Sequence, residues 1–523
     1  MLNSPCLRLG SIWLFMMILL LSMPVPTLSA AYDQTDVTPE KLGEIEKWIQ
    51  KQLSKAEFPG MSVTIVSGNQ TVYQKGFGLA DLTAGTPVTG STIFEIGSNS
   101  KAFTGLAVLK LEKEGKLKLN DPANQYVPWL QFTYHAEPAV VTLEQLLHHT
   151  GGIPFETIGR LPEGYGEQAL EQTVRILQNQ PLNREPGKTF EYATINYDVL
   201  GLVIEKVSGQ SYADYMEEHI FRPLGLNHTY VLQKPNSRKE VATGYKVGYT
   251  DPRRYSPPYY SGNAPAGYVM SSAEDMALWL KIQLGTRRTG SFDYSLIENS
   301  HDSNRSVQPD NNGSYYAAGW DVHQGGKGEI SHAGNNPTFS SFVGIRPGGS
   351  PVGVAVLANM NSDYTQLIGR GILNQLNGEP PPLLGSDTYR QADAVALGIG
   401  AVLLVISFVA LILVLSTIST IVKGERRARL RGMRTSLLLL LHLIWIGAVA
   451  AAVYNMPELI FYNLTWRFIQ VWLPSTVWSA VWFLAAALTL CAIYSLLLTF
   501  FPKAKKGTVT KEDRLPKTET VKL

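Results

Sequence analysis

Three separated groups of side chains in this chain have the types and spacing for acyl transfer: Ser98-Asn99-Ser100-Lys101, then Tyr192, then His332-Ala333-Gly334. A serine hydroxyl is a poor nucleophile until a neighbouring group takes its proton. In a helix beginning near Ser98, Lys101 lies three residues on and shares its face. The ammonium then sits beside the hydroxyl, favouring loss of its proton and lowering the pKa of a nearby phenol or amine. Ser98 would also stand at the positive end of that helix, where its backbone N–H can help hold an oxyanion. A Ser-x-x-Lys match by itself is weak, because its bland reading is an ordinary helix start.

The neighbouring text raises the specificity. Phe94-Glu95-Ile96-Gly97-Ser98-Asn99-Ser100-Lys101, Leu143-Glu144-Gln145-Leu146-Leu147-His148-His149-Thr150-Gly151-Gly152-Ile153-Pro154, and Ser331-His332-Ala333-Gly334-Asn335-Asn336-Pro337-Thr338-Phe339-Ser340-Ser341 occur in that order. Together they resemble the serine β-lactamase and penicillin-binding-protein-like family, in its class C and esterase branch, from Leu42 to Leu376. The resemblance implies an α/β (α+β) fold, an antiparallel sheet flanked by helices with an inserted helical subdomain. By the same resemblance Ser98 is the acylated nucleophile and Lys101 activates it. Tyr192 works with the lysine as general base and later as general acid. His332-Ala333-Gly334 matches the strand that closes the site, and the N–H of Asn335 would pair with that of Ser98 as an oxyanion hole. Pro265-Ala266-Gly267, within Gly262 to Ser272, matches a loop of structural character.

One position departs from the family pattern. Tyr192-Ala193-Thr194-Ile195-Asn196-Tyr197 carries Thr194 where the family has the asparagine that binds the substrate's acyl amide. A hydroxyl cannot donate and accept with the fixed geometry of an amide. Substrate recognition is therefore altered more than acylation. Asn196, two residues on, is in the wrong register to substitute if the segment is helical.

The elements that must position these groups are readable. Thr38-Pro39-Glu40 reads as a helix start, with Leu42, Ile45, Trp48, Ile49 and Leu53 at helical spacing. Phe103, Leu106, Val108, Leu109 and Leu111 make the helix after Ser98 apolar enough to be buried, and Gly115 with Asn120-Asp121-Pro122 stops it. Met61 to Ser67 and Thr71 to Phe77 flank a Gly68-Asn69-Gln70 turn; Ser341 to Arg346 and Val352 to Asn359 flank Pro347-Gly348-Gly349-Ser350-Pro351. Hairpins at both ends with a helix-rich middle predict one sheet built from both termini, and a cleft between sheet and helical insertion.

Composition divides the chain further. Arg8, an apolar run from Ile12 to Met23, and Ser29-Ala30-Ala31 read as a signal peptide over 1–31, with an uncleaved anchor as the alternative. Residues 32–377 form the hydrolase-like domain, 378–393 a Pro-rich linker, 394–502 three transmembrane helices with a loop at 423–434, and 503–523 a basic tail. The net charge of +2 averages a loop of +5 and a tail of +4 against about −7 elsewhere, so a nucleic-acid partner is not indicated. Both basic segments belong on the cytoplasmic side and fit anionic lipid, which puts the hydrolase-like domain outside. Cys6 and Cys491 offer no disulfide framework. His148-His149 face different ways and no zinc-type spacing exists, so the reading is metal-free and cofactor-free. The expected function is a membrane-anchored serine hydrolase acting on a cell-wall D-amino-acid peptide, related amide or ester. A receptor acylated by penicillin or a cell-wall fragment without efficient turnover stays open beside it. Oligomeric state is not readable.

Overall fold

The computed structural model describes residues 37–503 apart from 233–239, 291, 326–327, 384, 386, 429–431 and 461–462. The expected signal peptide and all of the basic tail beyond Lys503 lie outside the described residues. Pro39–Ala56 is helical as its sequence predicts: Thr38 caps it, accepting from the Lys41 N–H at 3.2 Å, and Pro39 occupies the first turn. Ile45 and Ile49 are buried beneath it.

Eight antiparallel strands form the main sheet, in the order Ser314–Tyr316, Asp321–His323, Ile330–Asn336, Phe339–Arg346, Val352–Ala358, Gly60–Ser67, Gln70–Asp81, Thr86–Pro87. The expected joining of both chain ends is present as a central seam: Gly60–Ser67 pairs with Val352–Ala358 from Met61↔Ala358 to Ser67↔Val352. Alternation along Val352–Ala358 shows why the sheet is covered on both faces. Val352, Val354, Val356 and Ala358 pack with Ile45, Ile49, Ile368 and Ile372 of the helices Pro39–Ala56 and Asp363–Leu376, while Ala355 and Leu357 turn into the larger core. That larger core holds Phe103, Leu106, Val199, Val203, Trp279 and Trp320, drawn from the helical insertion and the helices Ser100–Lys113, Ile195–Ser208 and Ala273–Gln283. Each such side chain contributes ~1.5–3 kcal/mol of burial.

After the domain come three helices long and apolar enough to cross a membrane: Thr388–Val422, Ser436–Tyr454 and Ser475–Phe500. Two boundaries differ from the sequence reading. The first helix starts at Thr388, inside the stretch read as linker, because the Asp387 carboxylate accepts from the Tyr389 and Arg390 N–H groups and caps it. The third starts at Ser475, whereas the apolar run read from sequence begins at Val471, because Pro474 separates it from a short helix, Trp466–Trp472, whose last two residues that run includes. The first and third helices run side by side. At one end Asp393, buried, accepts from the Tyr249 and Thr250 N–H groups of the domain and from the Thr476 hydroxyl. At the other, Arg426 donates to the Phe501 carbonyl at 2.9 Å. The hydrolase-like domain and the basic loop thus occupy opposite ends of the helix pair.

Candidate active site

The strand Ile93–Glu95 pairs with Val269–Ser272 and delivers the chain to a 3₁₀ turn, Gly97–Asn99, from which the helix Ser100–Lys113 continues. Gly97 makes the turn possible: its φ is +52°, and a Cβ there would meet the Asn335 nitrogen at 2.5 Å. Ser98 therefore stands one turn ahead of the helix proper. Its neighbours fasten the turn. Asn99 Nδ2 donates to Ser341 Oγ at 2.7 Å, Ser341 Oγ donates to the Ile96 carbonyl at 2.6 Å, and Ser100 Oγ accepts from the Val269 N–H at 3.0 Å.

Ser98 Oγ lies 3.0 Å from Lys101 Nζ and 3.0 Å from Tyr192 Oη, so the three residues expected from sequence meet at one atom. Lys101 is fully buried, and its Nζ also donates to the Ala266 carbonyl at 2.8 Å. The Pro265-Ala266-Gly267 loop, read from sequence as structural, thereby takes a direct part in holding the lysine. Burial pushes the Lys101 pKa down to about 7, with the Asp198 carboxylate pulling it back up. Tyr192 moves the other way, its phenol raised above its ordinary value by burial. The lysine, not the tyrosine, is the group close to losing its proton at neutral pH.

His332 is neutral and fixed. Burial and the Lys101 charge push it down to about 3; its Nδ1 donates to the Ala333 carbonyl at 2.6 Å and its Nε2 accepts from the Tyr316 hydroxyl at 3.0 Å. Both ring nitrogens are engaged, so its place is the site wall. Gly334 lies flat against the nucleophile turn, where a Cβ would meet the Ile96 carbonyl oxygen at 2.1 Å. Asn335 follows it, exposed, on the strand next to Gly97.

Thr194 is buried at the start of the helix Ile195–Ser208, with its hydroxyl near enough to the Tyr192 phenol to favour ionisation there. Asn196 points away into the protein, its Nδ2 donating to His149 Nδ1 at 2.9 Å. Its register excludes it from the position Thr194 occupies.

Three further groups in the site escaped the sequence reading. Asp198 is fully buried within electrostatic reach of Lys101; the Asn263 amide, oriented to donate, reaches its two carboxylate oxygens at 2.8 and 3.2 Å. Burial drives this acid and the lysine toward neutrality while their attraction opposes it. His149 packs its ring 4.3 Å from that of Tyr192 and 4.5 Å from that of Tyr316, kept neutral by burial and by the Lys101 charge. Tyr316 holds His332. Asp198 directly follows the 192–197 stretch and His149 lies inside a quoted motif, yet no local spacing signals their roles, because the partners they act on are brought to them only by the fold. Among the described residues no group of three or more His, Cys, Asp or Glu side chains is placed to hold a metal.

Comparison with known proteins agrees with this geometry. A family model described as Beta-lactamase matches residues 45–375. Protein flp of Staphylococcus aureus (strain N315) is 32% identical over 470 residues, covering 89% of this chain and 91% of that protein. The putative penicillin-binding protein PbpX of Bacillus subtilis (strain 168) is 29% identical over 334 residues, covering 63% of this chain and 78% of its own length. Among solved structures, the octameric penicillin-binding protein homologue from Pyrococcus abyssi superposes with a TM-score of 0.58 at 30% identity, covering 65% of this chain and 78% of that one. The nucleophile turn, the sheet seam behind it and these matches lead to one conclusion: the chain belongs to the β-lactamase family of serine hydrolases and penicillin-binding-protein-like proteins.

Proposed function

We propose that this protein is a membrane-anchored hydrolase that forms an acyl-Ser98 intermediate outside the membrane, on a cell-wall D-amino-acid peptide, a related amide or an ester. The observation that carries the reading is Ser98 Oγ, held 3.0 Å from both a buried lysine and a buried tyrosine. As free amine, Lys101 takes the Ser98 proton while its remaining N–H groups keep the bond to the Ala266 carbonyl. Tyr192, still protonated, is then placed to pass a proton to the leaving group. The backbone N–H groups of Ser98 and Asn335 serve as oxyanion donors on this reading, with Gly97 and Gly334 allowing the close approach. His332 and Gly334 form the substrate-facing wall, and Thr194 replaces an amide contact, favouring esters over amides.

The membrane arrangement has separate support. The basic loop lies at the far end of the helix pair from the hydrolase domain, which suits basic residues inside and Ser98 outside. On this reading residues 1–31 are the export signal, 32–377 the hydrolase domain and 503–523 a cytoplasmic tail.

One observation favours the receptor reading. The short helix Trp466–Trp472 between the second and third spans packs on the domain: Arg467 pairs with Glu163, and Thr465 Oγ1 donates to the Gly159 carbonyl at 2.7 Å. Phe468 and Trp472 line a small cavity with Tyr260, Asn263 and Tyr268, so the short helix faces the residues that flank the loop holding Lys101.

One experiment separates the two. Purified full-length protein and a Ser98→Ala variant are incubated with a fluorescent penicillin, a D-Ala-D-Ala peptide and a short-chain aryl ester. Turnover that disappears in the variant, fastest for the ester, supports the hydrolase. Stable labelling of wild type without turnover supports the receptor, and undiminished ester hydrolysis in Ser98→Ala overturns the assignment of the nucleophile.

A further inference from the structure

The strand that leads into the nucleophile turn carries a carboxyl group that the reaction does not use. Glu95 is 8% exposed and three residues from Ser98, so their Cα atoms lie within ~11 Å. One of its oxygens accepts from Asn336 Nδ2 at 2.6 Å. The other has no hydrogen-bond donor among the described residues. The same Asn336 amide donates to the Gly267 carbonyl at 2.9 Å, and Ala266, one residue before, holds Lys101. Glu95 and the catalytic lysine therefore flank one short piece of backbone.

On the Glu95 side of that backbone is a cavity of about 190 Å³. Its walls include Tyr255, Tyr259, Tyr268 and Phe339, together with Thr338, whose buried hydroxyl has no partner among the described residues. A carboxyl group, an uncommitted hydroxyl and aromatic faces form a setting for a cation that also carries N–H donors. Arg254 lines the mouth but is exposed, and the charge it steadies is that of Asp81. Among the described residues no cationic group acts on Glu95: burial raises its pKa to about 7 and the Asn336 bond opposes this. A buried carboxylate lacking a counter-charge is costly, and a ligand ammonium removes that cost.

We propose that this cavity is a subsite for a primary ammonium group, held by Glu95 and Thr338 between the aromatic walls. The inference rests on the acyl-transfer reading in one respect, that the ammonium belongs to the substrate. A quaternary ammonium is disfavoured by its lack of N–H donors.

The test is calorimetry on full-length Ser98→Ala protein in lipid nanodiscs, titrated with n-pentylammonium and, separately, with n-pentanol. The ammonium is expected to bind at least tenfold more tightly than the alcohol. Adding Glu95→Gln should bring the two within about twofold, and adding Val241→Phe, which fills the cavity from its half-exposed rim, should weaken ammonium binding at least tenfold. Equal affinity for the two ligands, a preference that survives Glu95→Gln, or binding that survives Val241→Phe would each overturn the proposal. Since this protein lacks the nucleophile, the result is independent of turnover. A failed hydrolase assay and a failed subsite are thereby distinguishable.

Discussion

At the scale of single residues, the site is governed by one buried charge pair. On the mechanism proposed above Lys101 must be neutral to accept the Ser98 proton, so activity is expected above its pKa and lost as pH falls through about 7. Asp198 attracts the ammonium and holds that value up. Removing the carboxylate makes the ammonium easier to deprotonate. In Asp198→Asn the acid limb of the kcat/KM profile for ester hydrolysis is therefore expected to move to lower pH, by ~1–3 units; an unmoved limb would show that Asp198 does not act on the lysine. That Ser98, Lys101 and Tyr192 come together was legible in the sequence because each sits in a short pattern with its own flanks. Asp198, His149 and Asn263 were not, because their roles exist only after residues tens of positions apart are packed together. His149 is instructive: weighed as a metal ligand and set aside, it supports the ring of Tyr192. The subsite at Glu95 was equally silent, lying within a quoted motif without a role.

Among the elements, both hairpins, the Pro39–Ala56 helix and the buried nucleophile helix follow from local signals of capping, turn chemistry and apolar spacing. What could not be read was how closely the elements approach one another. The strand Ile330–Asn336 reaches the nucleophile turn because Gly334 has no side chain, its α-carbon lying against the Ile96 carbonyl and Ser341 Oγ. Gly334→Ala would place a methyl 2.1 Å from the first and 2.4 Å from the second. Strand and turn must separate, so a loss of ~1–3 kcal/mol is expected in thermal or chemical denaturation. Acylation of Ser98 should fall more steeply than stability, since Asn335 moves with the strand. A variant that melts and labels like wild type would show that the contact is not tight. Pro474 and Asp387 teach the same lesson for the membrane helices, whose existence was plain from composition while their starts depended on a ring and a cap.

For the molecule as a whole, domain and bundle share a seam of their own. Lys246, buried, donates to the Gln470 and Val471 carbonyls at 2.8 and 3.1 Å, and its pKa is lowered to about 8 by that burial. Asp393 completes the clasp from the first span. The central seam of the sheet matters in a different way. Gly60–Ser67 finds its inner neighbour only in Val352–Ala358, nearly three hundred residues later. Pairing of such high sequence separation is slow to form and late to reward the chain. A fragment ending at Arg346 is accordingly expected to lack cooperative unfolding and protease resistance, whereas one ending at Gly378 should regain both; limited proteolysis of the two decides this, and a resistant shorter fragment would refute it. On the export proposed above, the opening strand would wait on the far side, unpaired and apolar, until the closing hairpin had followed it through. The first membrane helix begins at Thr388, shortly after that hairpin and the helix Asp363–Leu376. On that proposed topology, completion of the domain and arrest of the chain in the bilayer would be neighbouring events, and a chaperone outside the membrane would have its greatest effect in the interval before them.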